Sequence, residues 1–142
     1  MVLDTNVLLS ATDHARPGHD RAVALLTEDD RDLVVTAQVA REYLSTATRP
    51  TSANGMGLPG DVAVSNLDDL LIGVEIFPDS GAAVDVLMGF VGRGTATGKQ
   101  VHDANLVAQA LHHHADVIVT DNRRHFSRFE EFITIESLVE ES

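Results

Sequence analysis

Cysteine is absent from the 142 residues, so no disulfide can staple the chain and no thiolate can ligate a metal. A reducing compartment is therefore permitted. Basic residues are scarce: ten Lys plus Arg stand against 22 Asp plus Glu, a formal net charge of -12. That balance argues against a protein that grips nucleic acid through a broad basic surface, because such binding draws on many phosphate contacts. Lys99 is the sole lysine. The N-terminus lacks the basic stretch and long apolar run of a secretory leader, and no apolar segment is long enough to span a bilayer. A soluble, cytoplasmic protein with no membrane partner is expected. Internal repeats, linkers and low-complexity tails are also missing, and the length suits one domain over residues 1–142.

What is present is an alternation of short β-rich runs and longer helical patterns. The strand candidates are "MVLD" at the start, 32–36 ("DLVVT"), 73–77 ("GVEIF"), 116–120 ("DVIVT") and 132–136 ("FITIE"). They are rich in Val and Ile and too short for helices. Helical patterns fall near 19–29, 37–48, 61–72, 80–92 and 101–115. Strands separated by helices of this length pair in parallel, with the crossover helices on both faces. "VIVT" and "LVVT" are continuously apolar, as strands covered on both sides are. The expected architecture is α/β, three layers, with a mostly parallel central sheet of about five strands flanked by helices.

Two loops interrupt this pattern. "RPTSANGMGLPGD" (49–61) joins two helices, and "GRGTATGKQ" (92–100) precedes the last long helix. The second lacks the glycine spacing and the terminal Lys-Ser or Lys-Thr of a nucleotide-phosphate loop.

Acidic residues fall at telling places. In an open parallel sheet, ligands bind beyond the carboxyl ends of the strands. Asp4 closes the first strand and Asp121 follows "VIVT" at the end of the fourth. Asp103 lies in the first turn of "VHDANLVAQALHHH", beside the buried stripe of Val101, Ala104, Ala108, Leu111 and Ala115. Glu42 flanks the face marked by Ala40, Tyr43, Leu44 and Ala47. Each acid alone has a plain explanation as a turn residue, a helix cap, a helix-dipole partner or a solvated side chain. Gathered together they would repel by roughly 4 kcal/mol per pair at an effective dielectric of about 20. Such a cluster needs protons or a hard divalent cation.

The segments "VLDTNVLL", "REYL", "GKQVHDANLVAQAL" and "VIVTDNRRHF" resemble, in order, the four signature segments of PIN-domain ribonucleases. The similarity is greatest to VapC-type toxins of toxin–antitoxin pairs and covers nearly the whole chain. It implies a Mg²⁺- or Mn²⁺-dependent endoribonuclease with a parallel sheet flanked by helices. Residue by residue it makes Asp4, Glu42 and Asp103 the first three family acids. For the fourth, aligning on Thr120 and Phe126 puts Asn122 in the family slot and Asp121 in the variable one, so both stay in view. Asp4 and Asp103 are then the metal ligands, Glu42 and Asp121 complete the catalytic set, and Thr5, Asn6, Thr120 and Asn122 orient it. The resemblance also implies an RNA substrate, a VapB-like antitoxin, a homodimer, and contact with DNA only through the antitoxin.

Arg41, Arg49, Lys99, Arg123 and Arg124, with Arg16, are the candidate RNA-phosphate contacts, set against the ordinary expectation of local ion pairs. His112, His113 and His114 diverge by about 100° per residue on a helix and cannot share one metal; a helix C-terminus suits them. His102 and His125 lie beside the acidic segments. Two rivals remain. A phosphoacceptor receiver domain also places acids at strand ends, but it calls for adjacent acids near the first strand and a lysine after the last, where Lys99 does not lie. A catalytically silent interaction module would share the fold and ignore metal.

Overall fold

Val2 and Leu3 form the central strand β1 (Val2–Leu3), fully buried and flanked on both edges by parallel partners. The computed structural model describes residues 1–139. Four further strands complete one all-parallel sheet: β2 (Val34–Thr36), β3 (Glu75–Phe77), β4 (Val117–Thr120) and β5 (Thr134–Ser137), in the order β3-β2-β1-β4-β5. The helices are α1 (Thr5–Thr12), α2 (His19–Glu28), α3 (Ala37–Thr48), α4 (Gly60–Leu70), α5 (Ala83–Gly92), α6 (Gln100–His112) and the single turn α7 (Arg123–Phe126). This is the expected α/β architecture, three layers with a five-stranded parallel sheet at the centre.

The strand order fixes where a site can form. From β1 the chain builds outward through β2 to β3, then crosses to β4 and β5 on the other side. The crevice between the carboxyl ends of β1 and β4 is therefore the switch point of the sheet, where side chains and ligands are not covered by a crossover. Register brings the two ends level: Leu3 lies opposite Val119, and the Asp4 amide donates to the Val119 carbonyl at 2.9 Å.

Two helices are absent from the sequence expectation, α1 and the single turn α7. Residues 5–12 form α1, although "NVLLS" has no helical periodicity. Val7, Leu8 and Leu9 are all buried because α1 is enclosed on several sides, and a short apolar run of that kind does not distinguish strand from helix. The helix starts where it does because Asp4, in extended conformation, caps it and accepts from the Thr5 amide at 2.8 Å. The last strand also begins two residues later than its pattern suggests. Phe132 and Ile133 belong to a turn instead, both amides donating to the Phe129 carbonyl. The histidine run ends α6 as expected, with His114 in the left-handed region at φ 60° and His113 stacked on Phe77.

A contiguous core joins the sheet to α1, α3 and α6. Tyr43 is fully buried on α3, and its hydroxyl meets Thr12 Oγ1 at 2.9 Å, closing the α1–α3 contact with a satisfied polar tip. Among the described residues no helix is long and apolar enough to cross a membrane.

Candidate functional site

Asp4 stands at the carboxyl end of β1 and doubles as the N-cap of α1. Both its carboxylate oxygens are engaged. Oδ1 accepts from the Thr5 amide, and Oδ2 accepts from Asn6 Nδ2 at 3.1 Å and from Thr120 Oγ1 at 2.9 Å. Burial pushes the Asp4 carboxyl up to about 7 against the pull of the Thr120 and Thr5 hydrogen bonds, and the negative charges of Asp103 and Glu42 add to the rise. Three of the four orienting residues expected from the sequence, Thr5, Asn6 and Thr120, thus meet at one carboxylate, and two further acids are within electrostatic reach.

Thr120 closes β4 and is fully buried. Its hydroxyl uses its one proton on Asp4 and accepts from Asn6 Nδ2 at 3.2 Å and from the Asn122 amide at 3.1 Å. Asn6 returns the connection by accepting the Asp121 amide on its Oδ1 at 3.0 Å. The ends of β1 and β4 are in this way tied by side chains as well as by the sheet ladder.

Glu42 reaches the crevice from α3. Its Oε2 accepts from Thr5 Oγ1 at 2.7 Å and its Oε1 from Gln38 Nε2 at 2.8 Å. Asp103, in the first turn of α6, is half-buried. Burial raises its carboxyl and Glu42 raises it further, while His125, Arg128 and His102 pull it down. Asp121 is likewise raised by burial and lowered by Arg16 and His125. The charges felt by Asp121 therefore differ from those felt by Asp4. Glu42 and Asp103 raise the Asp4 carboxyl and Glu42 raises that of Asp103, whereas Asp121 feels Arg16 and shares the influence of His125 with Asp103. Asn122 directs its side chain at His125, with Nδ2 3.2 Å from Nε2.

The basic candidates divide. Arg41 pairs with Asp79 at 3.0 Å and Arg123 with Glu130 at 3.1 Å, so the ordinary ion-pair explanation accounts for both. Arg49 donates to Ser45 Oγ within its own helix. Lys99 precedes α6 and Arg124 lies in α7, both exposed. Arg128, in the short 3-10 turn Ser127–Phe129, was not singled out by the sequence, yet its charge acts on Asp103. Gln38 and Asn105 were missed as well. Gln38 stands four positions before Glu42, but its contacts to α6 reach His102 and Asn105, 64 and 67 positions away, and no spacing marks those.

The donor set fits a hard divalent ion. It is all oxygen, and Asp4 has three hydrogen bonds on a carboxylate with about four acceptor positions, leaving one for a cation. Among the described residues no three His, Asp or Glu side chains converge into a preformed cage. Mg²⁺ does not require one, since it keeps several waters and binds through one or two carboxylates. Away from the catalytic candidates, a groove of about 490 Å³ lies between α1, α2 and α4, with Ala11, Val23, Leu26, Leu70 and Ile72 as its apolar lining and Thr12, Thr27, Asn66 and Asp69 as its polar lining.

A family model described as "PIN domain" matches residues 1–131. A search of curated protein sequences finds no significant match. Among solved structures, FitAcB from Neisseria gonorrhoeae superposes with a TM-score of 0.72 at 19% identity, covering 96% of both chains. The DNA-bound VapBC complex from Salmonella typhimurium gives 0.69 at 18% identity, covering 97% of both chains. VapC20 from Mycobacterium tuberculosis, described as a sarcin–ricin-loop-cleaving toxin, gives 0.64 at 14% identity, covering 82% of this chain and 85% of that one. At these identities the likeness is one of fold.

Proposed function

Since the chain belongs to the PIN-domain family, we propose that it is a divalent-metal-dependent endoribonuclease, the toxin of a toxin–antitoxin pair. The observation that carries this reading is the enclosed Asp4 carboxylate at the β1/β4 switch point, with Asp103 and Glu42 in electrostatic contact with it. An anion held there at a cost is what a cation-binding crevice requires.

Asp4 and Asp103 would hold Mg²⁺ or Mn²⁺. When bound, the ion supplies Lewis-acid activation of the phosphodiester and of the attacking water. The chain's own residues do the rest. Thr5, Asn6 and Thr120 fix the Asp4 carboxylate by the bonds already described, so that no reorganisation is needed when the ion arrives. Glu42, anchored at both oxygens, orients water on the α3 side, and Asp121 with Asn122 does so from the β4 side. Lys99, Arg124 and Arg128 contact RNA phosphates; Arg41, Arg49 and Arg123 contribute only where their present partners release them. A cytoplasmic setting accords with the cysteine-free chain.

The partners follow the same logic. The neighbours FitAB and VapBC are described in complexes with DNA, and another is described as a toxin–antitoxin complex from Klebsiella pneumoniae. With a net charge of -12 this chain is unsuited to DNA, so operator contact falls to a VapB-like antitoxin. The α1/α2/α4 groove offers an apolar seat for an antitoxin helix. For a homodimer, the exposed Val84, Met88 and Val91 on α5 supply an apolar stripe at helical spacing.

The test is RNA cleavage by the purified protein with Mg²⁺ or Mn²⁺, with EDTA, and with Asp4→Asn or Asp103→Asn. Cleavage that needs the ion and falls at least about a hundredfold in both variants supports the reading. Cleavage persisting in EDTA overturns the metal mechanism, and a wild type that takes up no Mn²⁺ in calorimetry points to a catalytically silent interaction module.

A further inference from the structure

Gln38 sits one turn before Glu42 on α3, on the same face, and is buried at 9% exposure. A buried side-chain amide has to account for two N–H donors and a carbonyl, and here all are used across two helices. One Nε2 proton goes to Glu42 Oε1 at 2.8 Å and the other to the carbonyl of His102 at 3.3 Å. The Oε1 atom accepts from Asn105 Nδ2. The orientation of the amide follows from chemistry, since a carboxylate only accepts and the Nε2 end must face Glu42.

The two α6 contacts bracket Asp103: His102 precedes it and Asn105 lies two residues beyond. Helix bookkeeping does not demand the His102 contact, because that carbonyl already has the Leu106 amide one turn on as its helical partner. Gln38 is thus a side chain that grips Glu42 with one atom and the segment carrying Asp103 with two. Thr5 completes the chain on the far side, joining Glu42 to the Asp4 cap.

Resting on the nuclease reading above, we propose that Gln38, locked by Asn105, is the positioning residue that sets the separation of Glu42 and Asp103. The pair acts through those acids and does not touch substrate. Removing the amide leaves α3 and α6 packed through their apolar faces but frees the Glu42 carboxylate to rotate about Thr5. The cost falls on ion binding and turnover, not on RNA affinity, since neither amide lies among the candidate phosphate contacts.

The experiment uses full-length protein and three variants, Gln38→Leu, Asn105→Ala and Glu42→Gln, with the double variant Gln38→Leu/Glu42→Gln. Gln38→Leu is expected to weaken Mn²⁺ binding in calorimetry about tenfold, the lower end for outer-shell groups around a metal. It should lower kcat by a similar factor with KM for RNA unchanged, and leave the thermal midpoint within a few degrees. Asn105→Ala should do the same to a smaller degree. In the double variant the loss should fall short of the product of the two single losses, because the amide acts in part through that carboxylate and the remainder reaches Asp103 through α6. Additive losses, or wild-type Mn²⁺ affinity and kcat in Gln38→Leu, overturn the proposal. A wild type that binds Mn²⁺ with the expected Gln38 dependence yet cleaves no RNA keeps the clamp and removes the nuclease reading. A wild type that binds no Mn²⁺ removes both.

Discussion

The Thr120 hydroxyl donates to Asp4 Oδ2 across 2.9 Å, although 116 positions separate the two residues in sequence. This bond is the largest single influence holding the Asp4 carboxyl below where burial alone would put it. It also makes Thr120 a junction, since the same oxygen accepts from Asn6 and from the Asn122 amide.

Replacing Thr120 with Val keeps the volume and removes the oxygen. Asn6 Nδ2 and the Asn122 amide then lose an acceptor in a part-buried site, which costs about 1–3 kcal/mol of stability. The Asp4 carboxyl rises further, so more Mn²⁺ is needed for half-maximal cleavage at neutral pH. Thr120→Ser keeps the hydroxyl and is expected to stay near wild type in both respects. Denaturant melts and Mn²⁺ titrations of the two variants check this; indistinguishable Val and Ser variants would show that the hydroxyl is idle.

Asp4 makes the metal-free protein pH-dependent in a definite direction. Its carboxyl moves from an ordinary 3.8 to about 7 on folding, so the folded state favours the protonated form. That contribution to stability is complete below about pH 4 and is lost as pH rises through 7, amounting to about 4 kcal/mol at most. In EDTA, Asp4→Asn should therefore melt several degrees higher relative to wild type at pH 8 than it does at pH 5. The comparison between the two pH values matters, because the amide disturbs the Asp4 hydrogen bonds equally at both. A difference that is flat with pH would mean that Asp4 is ionised at little cost.

Much of this site was legible from residue order alone, for a physical reason. Acids that end strands must emerge at one edge of a parallel sheet, so Asp4 and Asp121 could be placed without coordinates. The flank position of Glu42 followed from helical spacing in the same way. The parts that were not legible depend on distant partners. The i,i+4 spacing of Gln38 and Glu42 says nothing of the Gln38–Asn105 contact across to α6, and the salt bridges of Arg41 and Arg123 require knowing that Asp79 and Glu130 fold back beside them. Helix α1 escaped because Val7, Leu8 and Leu9 are buried together, which erases the periodicity that would announce a helix.

Asp121 and Asn122 compete for the fourth position, and their surroundings separate them. Asp121 faces Arg16 and His125, while the Asn122 amide holds His125, whose charge acts on both Asp103 and Asp121. Asn122→Ala is therefore expected to lower kcat at least as much as Asp121→Ala, each by about tenfold, and both by less than Asp103→Asn. Single-turnover cleavage rates rank the three. A larger loss in Asp121→Ala than in Asn122→Ala would put the working carboxylate at 121.

The antitoxin should engage two separable features, and variants can tell them apart. In the α1/α2/α4 groove Val23 is 37% and Ile72 is 77% exposed, apolar surface that a helix could cover without displacing any core residue. Charges there oppose burial of an apolar helix but lie away from the acidic crevice. Val23→Glu with Ile72→Glu is expected to weaken antitoxin binding at least tenfold while leaving RNA cleavage intact. Inhibition itself would come from an antitoxin Arg or Lys neutralising Asp4 and Asp103 in place of the ion, through charge-assisted hydrogen bonds in a partly desolvated site. Raising Mn²⁺ should then weaken antitoxin binding in wild type, and Asp4→Asn should blunt that competition. Calorimetric titrations at two Mn²⁺ concentrations measure both effects. Affinity that ignores the ion and Asp4→Asn alike would place inhibition in the groove alone, and affinity that ignores the two glutamates would remove the groove as the helix seat.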